Sequence, residues 1–404
     1  MINICSILLT VFCISSLFDN KSIRSTTKIE EYTNTIQVNR LLSNHPLTTD
    51  LLSVFTRTKI NTDTIRNYSA PTWTKLITES YPGKQDDICF INEQTGWYVN
   101  GGGNIYKTID GGETWAKCFT KPGTFFRCIA FLDSLNGFAG NVGTDYFPNV
   151  QDTIPLYQTN DGGYSWKPVS YEGPAVKGLC AIDIVREQYI NHGSIAYRHS
   201  IYAVGRVGSP AMLLISEDEG KSFRSQSMMT ECKMLFDIDM FNKKEGVVCA
   251  ASHEDISQSN AVILFTKDGG KTWEKRYQSG RPYETTWKVS FPTRDTGYVT
   301  IQHYNPDRST TKQRIAKTVD GGRTWKELDL CDDYTAREFG IGFINGQVGY
   351  VGTMNSGYQT RNGGLSWEKI DLGRACNKIR IYKNPQGRTY GYAIGVDVFK
   401  LSTQ

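Results

Sequence analysis

The residues whose types and spacing favour acid–base chemistry are two aspartates in neighbouring copies of a repeated strand. Asp183 and Asp239 each stand between two apolar residues, and Arg380 occupies the same place in a later copy. Paired carboxyl groups act as acid and base, or as acid and nucleophile, in glycoside hydrolysis. The alternative, which we prefer, is an internal network of charges in which Arg380 or ordered water lies against both aspartates.

Metal and cofactor chemistry have little support in the sequence. His253, Glu254 and Asp255 are adjacent and lack the spacing of metal ligands, so we interpret them as a solvated loop. The chain has no glycine-rich phosphate loop leading into a helix and no Gly-x-Ser-x-Gly nucleophile motif. The sequence therefore predicts no metal site and no cofactor.

A different chemistry, recognition of a peptide or a glycan, is indicated by aromatic and arginine residues on loops. Such residues supply much of the binding energy at interfaces, and a rigid scaffold holds the loops that carry them. The candidates are Arg127, Tyr146, Phe147, Arg281, Tyr283, Trp287, His303, Tyr304 and Arg337. For any one of them, the alternative is ordinary variation of a solvated loop.

A repeated octapeptide shows which elements position these residues. It reads Ser or Thr, any residue, Asp or Asn, any residue, Gly, any residue, Ser or Thr, aromatic. Its six copies begin at Thr108, Thr159, Ser216, Thr266, Thr318 and Thr360.

The octapeptide has the features of a hairpin turn. Its third residue is expected to fold its side chain onto backbone amides two residues on, while the glycine adopts a positive φ. The aromatic residue then opens the next strand and packs against the layer beneath it. We therefore assign structural roles to the third residues, which are Asp110, Asp161, Asp218, Asp268, Asp320 and Asn362.

The spacing of the octapeptides predicts the architecture. They recur about every 42 to 57 residues, which is the length of four short strands with their turns. Three more strands follow the last copy, and Thr72-Trp73-Thr74-Lys75-Leu76 matches the missing fourth. An N-terminal strand that completes the last blade closes a ring and removes open sheet edges. The sequence therefore predicts an all-β, seven-bladed β-propeller that is closed through Trp73.

The copies written Thr-x-Asp-Gly-Gly-x-Thr-Trp resemble the Asp-box, or BNR, repeat of sialidases, sortilin-type receptors and photosystem II stability/assembly factor-like proteins. With Gly96-Trp97-Tyr98-Val99 ahead of the first copy, the chain looks most like the last group over about residues 71–404. The resemblance implies a β-propeller that holds a client protein during assembly through an arginine-rich surface. Arg127, Arg281 and Arg337 are the nearest matches by blade position. Sialidases are implied to carry an Arg-Ile-Pro motif, which this sequence lacks.

Composition and the N-terminal residues set the remaining expectations. A formal charge of +4 over 404 residues is far from the basic extreme of nucleic-acid binders. The apolar run at residues 2–18 is short for a bilayer span and fits a signal peptide, with a short signal anchor as the alternative. We predict a signal segment at 1–20, a flexible tether at 21–70 and the propeller at 71–404. Eight cysteines follow the signal, which permits disulfides, although Cys89 and Cys249 are expected to be buried thiols.

Together these features predict an exported protein, secreted or periplasmic, that is monomeric and non-enzymatic. Its partner is expected to be a protein or a glycan bound on the face opposite the octapeptides. We predict no nucleic-acid binding and no membrane span beyond the signal segment. The alternative function is a glycoside hydrolase of the sialidase-like superfamily.

Overall fold

The computed structural model describes residues 71–307 and 312–402, so the predicted signal segment and tether lie outside the described residues. The regular structure of the described part consists of 28 strands in seven four-stranded antiparallel sheets. Each sheet is one blade, and the prediction of a seven-bladed, all-β propeller is confirmed. None of the described residues forms a helix long and apolar enough to cross a membrane.

Six blades take four consecutive strands each. Blade one has β2 (Gln85–Phe90), β3 (Gly96–Asn100), β4 (Asn104–Thr108) and β5 (Ala116–Thr120). Blade two has β6 (Phe126–Phe131), β7 (Gly137–Asn141), β8 (Leu156–Thr159) and β9 (Lys167–Pro168). Blade three has β10 (Ala181–Asn191), β11 (Ser194–Gly205), β12 (Met212–Ser216) and β13 (Arg224–Ser227). Blade four has β14 (Met234–Met240), β15 (Gly246–Ala251), β16 (Ala261–Thr266) and β17 (Glu274–Gln278).

The later blades keep the same order. Blade five has β18 (Glu284–Ser290), β19 (Gly297–His303), β20 (Gln313–Thr318) and β21 (Lys326–Cys331). Blade six has β22 (Glu338–Phe343), β23 (Gly349–Thr353), β24 (Gly357–Thr360) and β25 (Glu368–Ile370). Blade seven has β26 (Lys378–Lys383), β27 (Thr389–Ile394), β28 (Val398–Ser402) and, as its fourth strand, β1 (Thr72–Lys75).

The first strand of every blade lies next to the first strands of its two neighbours, so these strands form the inner ring. In blade seven, β1 pairs antiparallel with β28, with Thr72 opposite Ser402 and Trp73 opposite Leu401. The Trp73 ring meets the ring of Tyr350 edge-on, with 5.1 Å between centroids. The N-terminal strand is therefore the outer strand of the seventh blade.

Aromatic stacking between adjacent blades explains the strand patterns of the sequence. The Trp97 ring in β3 stacks on the Phe131 ring in β6, with centroids 3.6 Å apart. Tyr298 and Phe343 repeat this contact at 3.5 Å between blades five and six. The glycine that opens a second strand lies under the phenylalanine of its own blade, since a Cβ on Gly96 would lie 2.6 Å from the ring of Phe90. Only glycine leaves room for that ring.

The octapeptide turns are held by their own side chains. Thr108 Oγ1 accepts a hydrogen bond from Gly112 N–H at 2.9 Å and donates to Asp110 Oδ1 at 2.7 Å. The Asp110 carboxylate accepts from the amide of Thr114 at 3.0 Å and from its hydroxyl at 2.5 Å. The carboxylate therefore reaches four residues along the chain and not two. These hydrogen bonds from Thr114 lower the pKa of Asp110 to about 2.

The other five copies make the same hydrogen bond from the seventh residue's amide to the third residue's side chain. The acceptors are Asp161, Asp218, Asp268, Asp320 and Asn362. The third residues of the octapeptides are thus occupied by the turns themselves.

The eight cysteines of the described residues are free thiols, and none forms a disulfide there. Cys249 is buried and Cys89 is half-buried. Burial raises the pKa of the Cys89 thiol to about 11, so both behave as small apolar residues of the core.

Candidate functional site

The propeller has two unlike faces. The octapeptide turns lie beside the connections from first to second strands, as in blade one, where Gly111 N–H donates to Gln94 O at 2.8 Å. We call this side the turn face. The connections between blades, and those from second to third strands, lie on the other side, which we call the loop face.

Two of the predicted binding residues, Arg127 and Trp287, are buried inside the ring, each with 5% of its surface exposed. Arg127 Nη1 donates to Asp86, and its guanidinium lies 5.3 Å from the centre of the Trp287 ring. Trp287 Nε1 donates to Asn377 Oδ1 at 3.3 Å. They are therefore not part of the surface that an incoming partner meets.

Irregularities in the inner strands explain why the sequence misplaced Arg127 and Trp287. The pairing register shifts between Phe126 and Cys128, and again between Thr286 and Val289. An extra residue in a strand re-aims its side chain, here toward the axis of the ring. Strand alternation read from the sequence does not locate such a shift.

A charge network crosses the axis, but its pairs differ from those predicted. Lys378 Nζ donates to both carboxylate oxygens of Asp237, at 2.7 and 2.9 Å, which links blades seven and four. Arg380 donates to Asp87 at 3.0 to 3.2 Å. We expected Arg380 or ordered water against Asp183 and Asp239. The choice of Arg380 was wrong, because Asp87, two residues earlier in the first-strand pattern, supplies the carboxylate that Arg380 binds.

The two aspartates with candidate acid–base roles line a cavity of about 320 Å³ on the turn face. Asp183 Oδ2 accepts from Met240 N–H at 2.7 Å, and Oδ1 accepts from Ile184 N–H at 2.9 Å. Burial raises the pKa of Asp183, while burial and the neighbouring Asp183 raise the pKa of Asp239 to about 8. Since Asp183 is held by backbone amides of two blades, the arrangement supports a structural role.

On the loop face, three cavities lie in a row, and we call this row the loop-face groove. The first, of about 370 Å³, is lined by Tyr146, Phe236 and Tyr304 among others. The second, of about 210 Å³, shares Tyr304 with the first and adds Arg337 and Met354. The third, of about 460 Å³, shares Met354 with the second and continues past Tyr81, Lys84 and Arg374. Tyr304 and Met354 are therefore the walls between adjacent cavities.

The groove is lined by polar atoms that have no hydrogen-bond partner among the described residues. These atoms are Gln313 Oε1 and Arg337 Nε. The Arg337 guanidinium packs over the Tyr304 ring, 5.2 Å from its centre, and burial raises the pKa of the Tyr304 phenol to about 12. Unsatisfied buried donors and acceptors are costly unless a ligand or water completes them.

The remaining candidates take supporting positions. His303 lines the second cavity, and its Nδ1 accepts from Asn305 N–H at 3.0 Å. Burial lowers the pKa of this imidazole. The carbonyl oxygen of Tyr283 accepts from Tyr304 N–H at 2.8 Å, and Tyr283 itself has a φ of 65°. The Phe147 ring stacks on Phe125 at 4.4 Å beneath the partly exposed Tyr146.

Arg281 lies in an ion-pair network of its own. It donates to Glu284 at 2.7 Å and to Glu327 at 3.0 Å.

Four predicted residues line the groove: Tyr146, His303, Tyr304 and Arg337. The sequence missed Met354 because the short connection after β23 showed no unusual length or composition. Among the described residues, no cluster of His, Cys, Asp or Glu is arranged to hold a metal ion.

Comparison with known proteins rests on structure alone. No family model and no curated protein matches the chain. A structure of YCF48 bound to D1 peptide has a TM-score of 0.57 and 16% identity, and the match covers 84% of this chain and 98% of that one. YCF48 from Cyanidioschyzon merolae has a TM-score of 0.56 and 14% identity, with coverage of 82% and 98%.

A GH74 enzyme from Niastella koreensis scores lower, with a TM-score of 0.43, 13% identity and coverage of 76% and 62%. That score supports no inference about the chain. The likeness to YCF48 shows a shared fold at low sequence identity. The chain is therefore a seven-bladed β-propeller similar to YCF48.

Proposed function

We propose that the loop-face groove binds an extended segment of a partner protein and that the chain is a non-enzymatic binding or assembly factor. The observation that carries this is the row of three cavities with shared walls at Tyr304 and Met354. An extended peptide offers side chains to successive pockets and backbone amides to the groups between them. Gln313 Oε1 and Arg337 Nε are an acceptor and a donor without partners along this path.

The charges along the groove set the character of the segment. Glu254 and Asp255 border the first cavity, whereas Lys84 and Arg374 border the third. Arg337 lies between them. A segment with a basic residue toward the first cavity and acidic residues toward the third would therefore complement the groove. The structure of YCF48 bound to D1 peptide supports this proposal as a precedent on the same fold.

The experiment is a screen of random displayed peptides against the immobilised full-length protein. Peptides that bind should lose at least roughly ten-fold in affinity against Tyr304→Ser and against Arg337→Gln, because these residues form the wall and the free donor. The matched control is Tyr164→Ser on the turn face, where the ring is 62% exposed and removal should not change affinity. Peptides that bind the native protein and both groove variants equally would refute the proposal.

The proposed absence of catalysis has its own test. The native protein should show no turnover of a panel of glycosides, since the Asp183 carboxylate is engaged by backbone amides. Turnover that disappears in both Asp183→Asn and Asp239→Asn would establish the glycoside hydrolase alternative. Export to a secreted or periplasmic location remains part of the proposal, and it rests on the apolar residues 2–18.

A further inference from the structure

Blade three departs from the other blades on the turn face. Its first two strands, β10 and β11, pair from Ala181 and Val204 out to Asn191 and Ser194. The third strand, β12, accompanies β11 only over Ile201–Gly205. Seven residue pairs, from Val185 opposite Ser200 to the tip, therefore extend beyond the sheet. At about 3.3 Å per residue this hairpin, residues 185–200, projects roughly 20 Å.

The hairpin lies on the turn face, as its base shows. Glu219 in the third octapeptide donates its amide to His199 O at 3.3 Å. The tip is a two-residue turn in which His192 and Gly193 have φ values of 47° and 81°. Two positive φ values are the geometry of a tight hairpin turn that matches the strand twist. An isolated pair of strands is only marginally stable in water, so such an extension is a feature that folding alone does not require.

Side chains along the hairpin are ordered by polarity. Nearest the base are Arg186 and Arg198, whose guanidiniums lie 3.5 Å and 5.4 Å from the ring centres of Tyr197 and Tyr189. Both tyrosines are 40% exposed. Further out, Ile190 is paired with Ile195, and they are 67% and 59% exposed. From the base of this two-stranded hairpin to its tip, the arginines are therefore followed by the tyrosine rings and then by the isoleucine side chains.

This order matches the layers of a bilayer surface. Arginine binds the phosphates of lipid headgroups, tyrosine prefers the interface, and isoleucine enters the outer hydrocarbon. The hairpin's one acidic residue, Glu187, lies 3.2 Å from Lys243 and so does not repel an anionic surface. The turn and the polar residues Asn191, His192 and Ser194 at the tip keep any insertion shallow, because turn backbone is costly in hydrocarbon.

The course of the chain adds a second, independent argument. Third strands run toward the turn face, and β28 is the third strand of blade seven, so its last residue lies there. Thr72 pairs with that residue, Ser402, which places the start of β1 on the turn face. The residues that precede Thr72 therefore join the propeller on the side from which the hairpin projects, so that a signal anchor at residues 2–18, the alternative to a signal peptide, would hold this same side at a membrane.

We propose that the hairpin of blade three docks the turn face on an anionic lipid bilayer. The tip enters the interface, and Arg186 and Arg198 hold lipid phosphates. This orientation leaves the loop-face groove directed away from the membrane and open to a partner protein. Docking does not depend on that groove, so the two proposals fail independently.

The test is amide hydrogen exchange of the full-length protein, read by mass spectrometry, with and without vesicles. A local readout is needed because residues 2–18 are themselves apolar and accompany every variant. Phosphatidylcholine vesicles with about one quarter phosphatidylserine should slow exchange in residues 185–200 by at least roughly three-fold, and pure phosphatidylcholine should slow it less.

Variants identify the cause of the slowing. Ile190→Ser with Ile195→Ser should abolish it, and Arg186→Gln with Arg198→Gln should remove the preference for anionic vesicles. The matched control is Ile109→Ser with Val319→Ser, two turn-face residues that are 73% and 68% exposed and lie outside the hairpin. The control should keep the effect, and unchanged melting would show that each variant is folded.

Three outcomes would overturn the proposal. The first is no slowing of the native hairpin by anionic vesicles. The second is slowing that persists after both isoleucines are replaced. The third is slowing by a purified soluble protein and not by vesicles, which would make the hairpin a protein-docking element.

Discussion

Asp239 is a partly buried carboxyl group that folding places beside a second acid, Asp183. Its pKa of about 8 lies far above its ordinary value of 3.8, because burial and Asp183 both disfavour the charged form. The folded protein therefore holds this proton more tightly than the unfolded chain. The stabilising contribution is complete below about pH 4 and is lost as the pH rises through about 8.

The first prediction follows from this loss of stability as the pH rises. Asp239→Asn should flatten the fall in the free energy of unfolding between about pH 4 and pH 8, because asparagine does not ionise. Urea unfolding at a series of pH values measures it. The matched control is Asp110→Asn, which should alter the pH dependence of the free energy of unfolding only below about pH 4, since the pKa of Asp110 is lowered to about 2. If the free energy of unfolding of Asp239→Asn fell with pH as it does in the native protein, the Asp239 carboxyl would not be the source of this pH dependence.

The second prediction concerns the octapeptide turns. Asp110→Ala removes the acceptor for both donors of Thr114 and should cost about 1 kcal/mol of stability. Asp110→Asn should cost less, because Asn362 fills the same position in the sixth copy and accepts from Ser366 N–H at 2.9 Å. Thermal melting compares the two variants. Equal losses would mean that the side-chain hydrogen bonds do not hold the turn.

At the scale of elements, the strand order was readable from the sequence because each blade repeats the same physical constraints. Glycine must be the first residue of the second strand where a phenylalanine covers it, as at Gly96 and Phe90. The long hairpin of blade three was not predicted, because nothing in the sequence of residues 185–200 says where pairing with a third strand stops.

The candidate site was only partly predictable. Tyr304 and Arg337 were identified since they are aromatic and cationic residues on loops, and both line the groove. Arg127 and Trp287 have the same residue types, but a shift of register turns them into the ring. Whether a loop residue faces outward depends on tertiary structure that residue type does not encode.

The third prediction tests β1. Deleting residues 71–78 removes the strand that pairs with β28 and uncovers Tyr350, which lies against Trp73. The free energy of unfolding should fall far more than for a surface substitution. Deleting residues 21–65, outside the described residues, should change the melting temperature little. A chain that starts at Tyr81 and melts like the full-length protein would contradict this role of β1.

At the scale of the whole molecule, side chains from distant blades meet across the axis. Arg127 of blade two lies over Trp287 of blade five, and Lys378 of blade seven binds Asp237 of blade four. These contacts add to those between neighbouring blades. A substitution in one blade therefore alters the contacts of a blade on the opposite side of the ring.

The fourth prediction uses the Asp237–Lys378 pair, whose members are 1% and 9% exposed. Lys378→Met leaves the buried carboxylate with the amide of Val289, at 3.1 Å, and with Lys288, at 3.8 Å, as its one cation within 4 Å among the described residues, and should cost roughly 3–5 kcal/mol. Adding Asp237→Asn should restore part of the loss, because the uncompensated charge is removed. Chemical unfolding of both single variants and the double variant gives the coupling. Additive losses would mean that the two side chains do not interact.

The pairing of Thr72 with Ser402 also has a consequence for synthesis of the protein on a ribosome. The two strands are about 330 residues apart in sequence, so their hydrogen bonds close the longest loop that the fold contains among its described strands. The strands of blades one to six can pair as the chain emerges from the ribosome, whereas β1 remains unpaired until β28 has been translated. A nascent chain arrested before Val398 would expose one strand edge at each end, and both edges are templates for aggregation. Emergence of β28 is thus the step that converts an open array of blades into a ring.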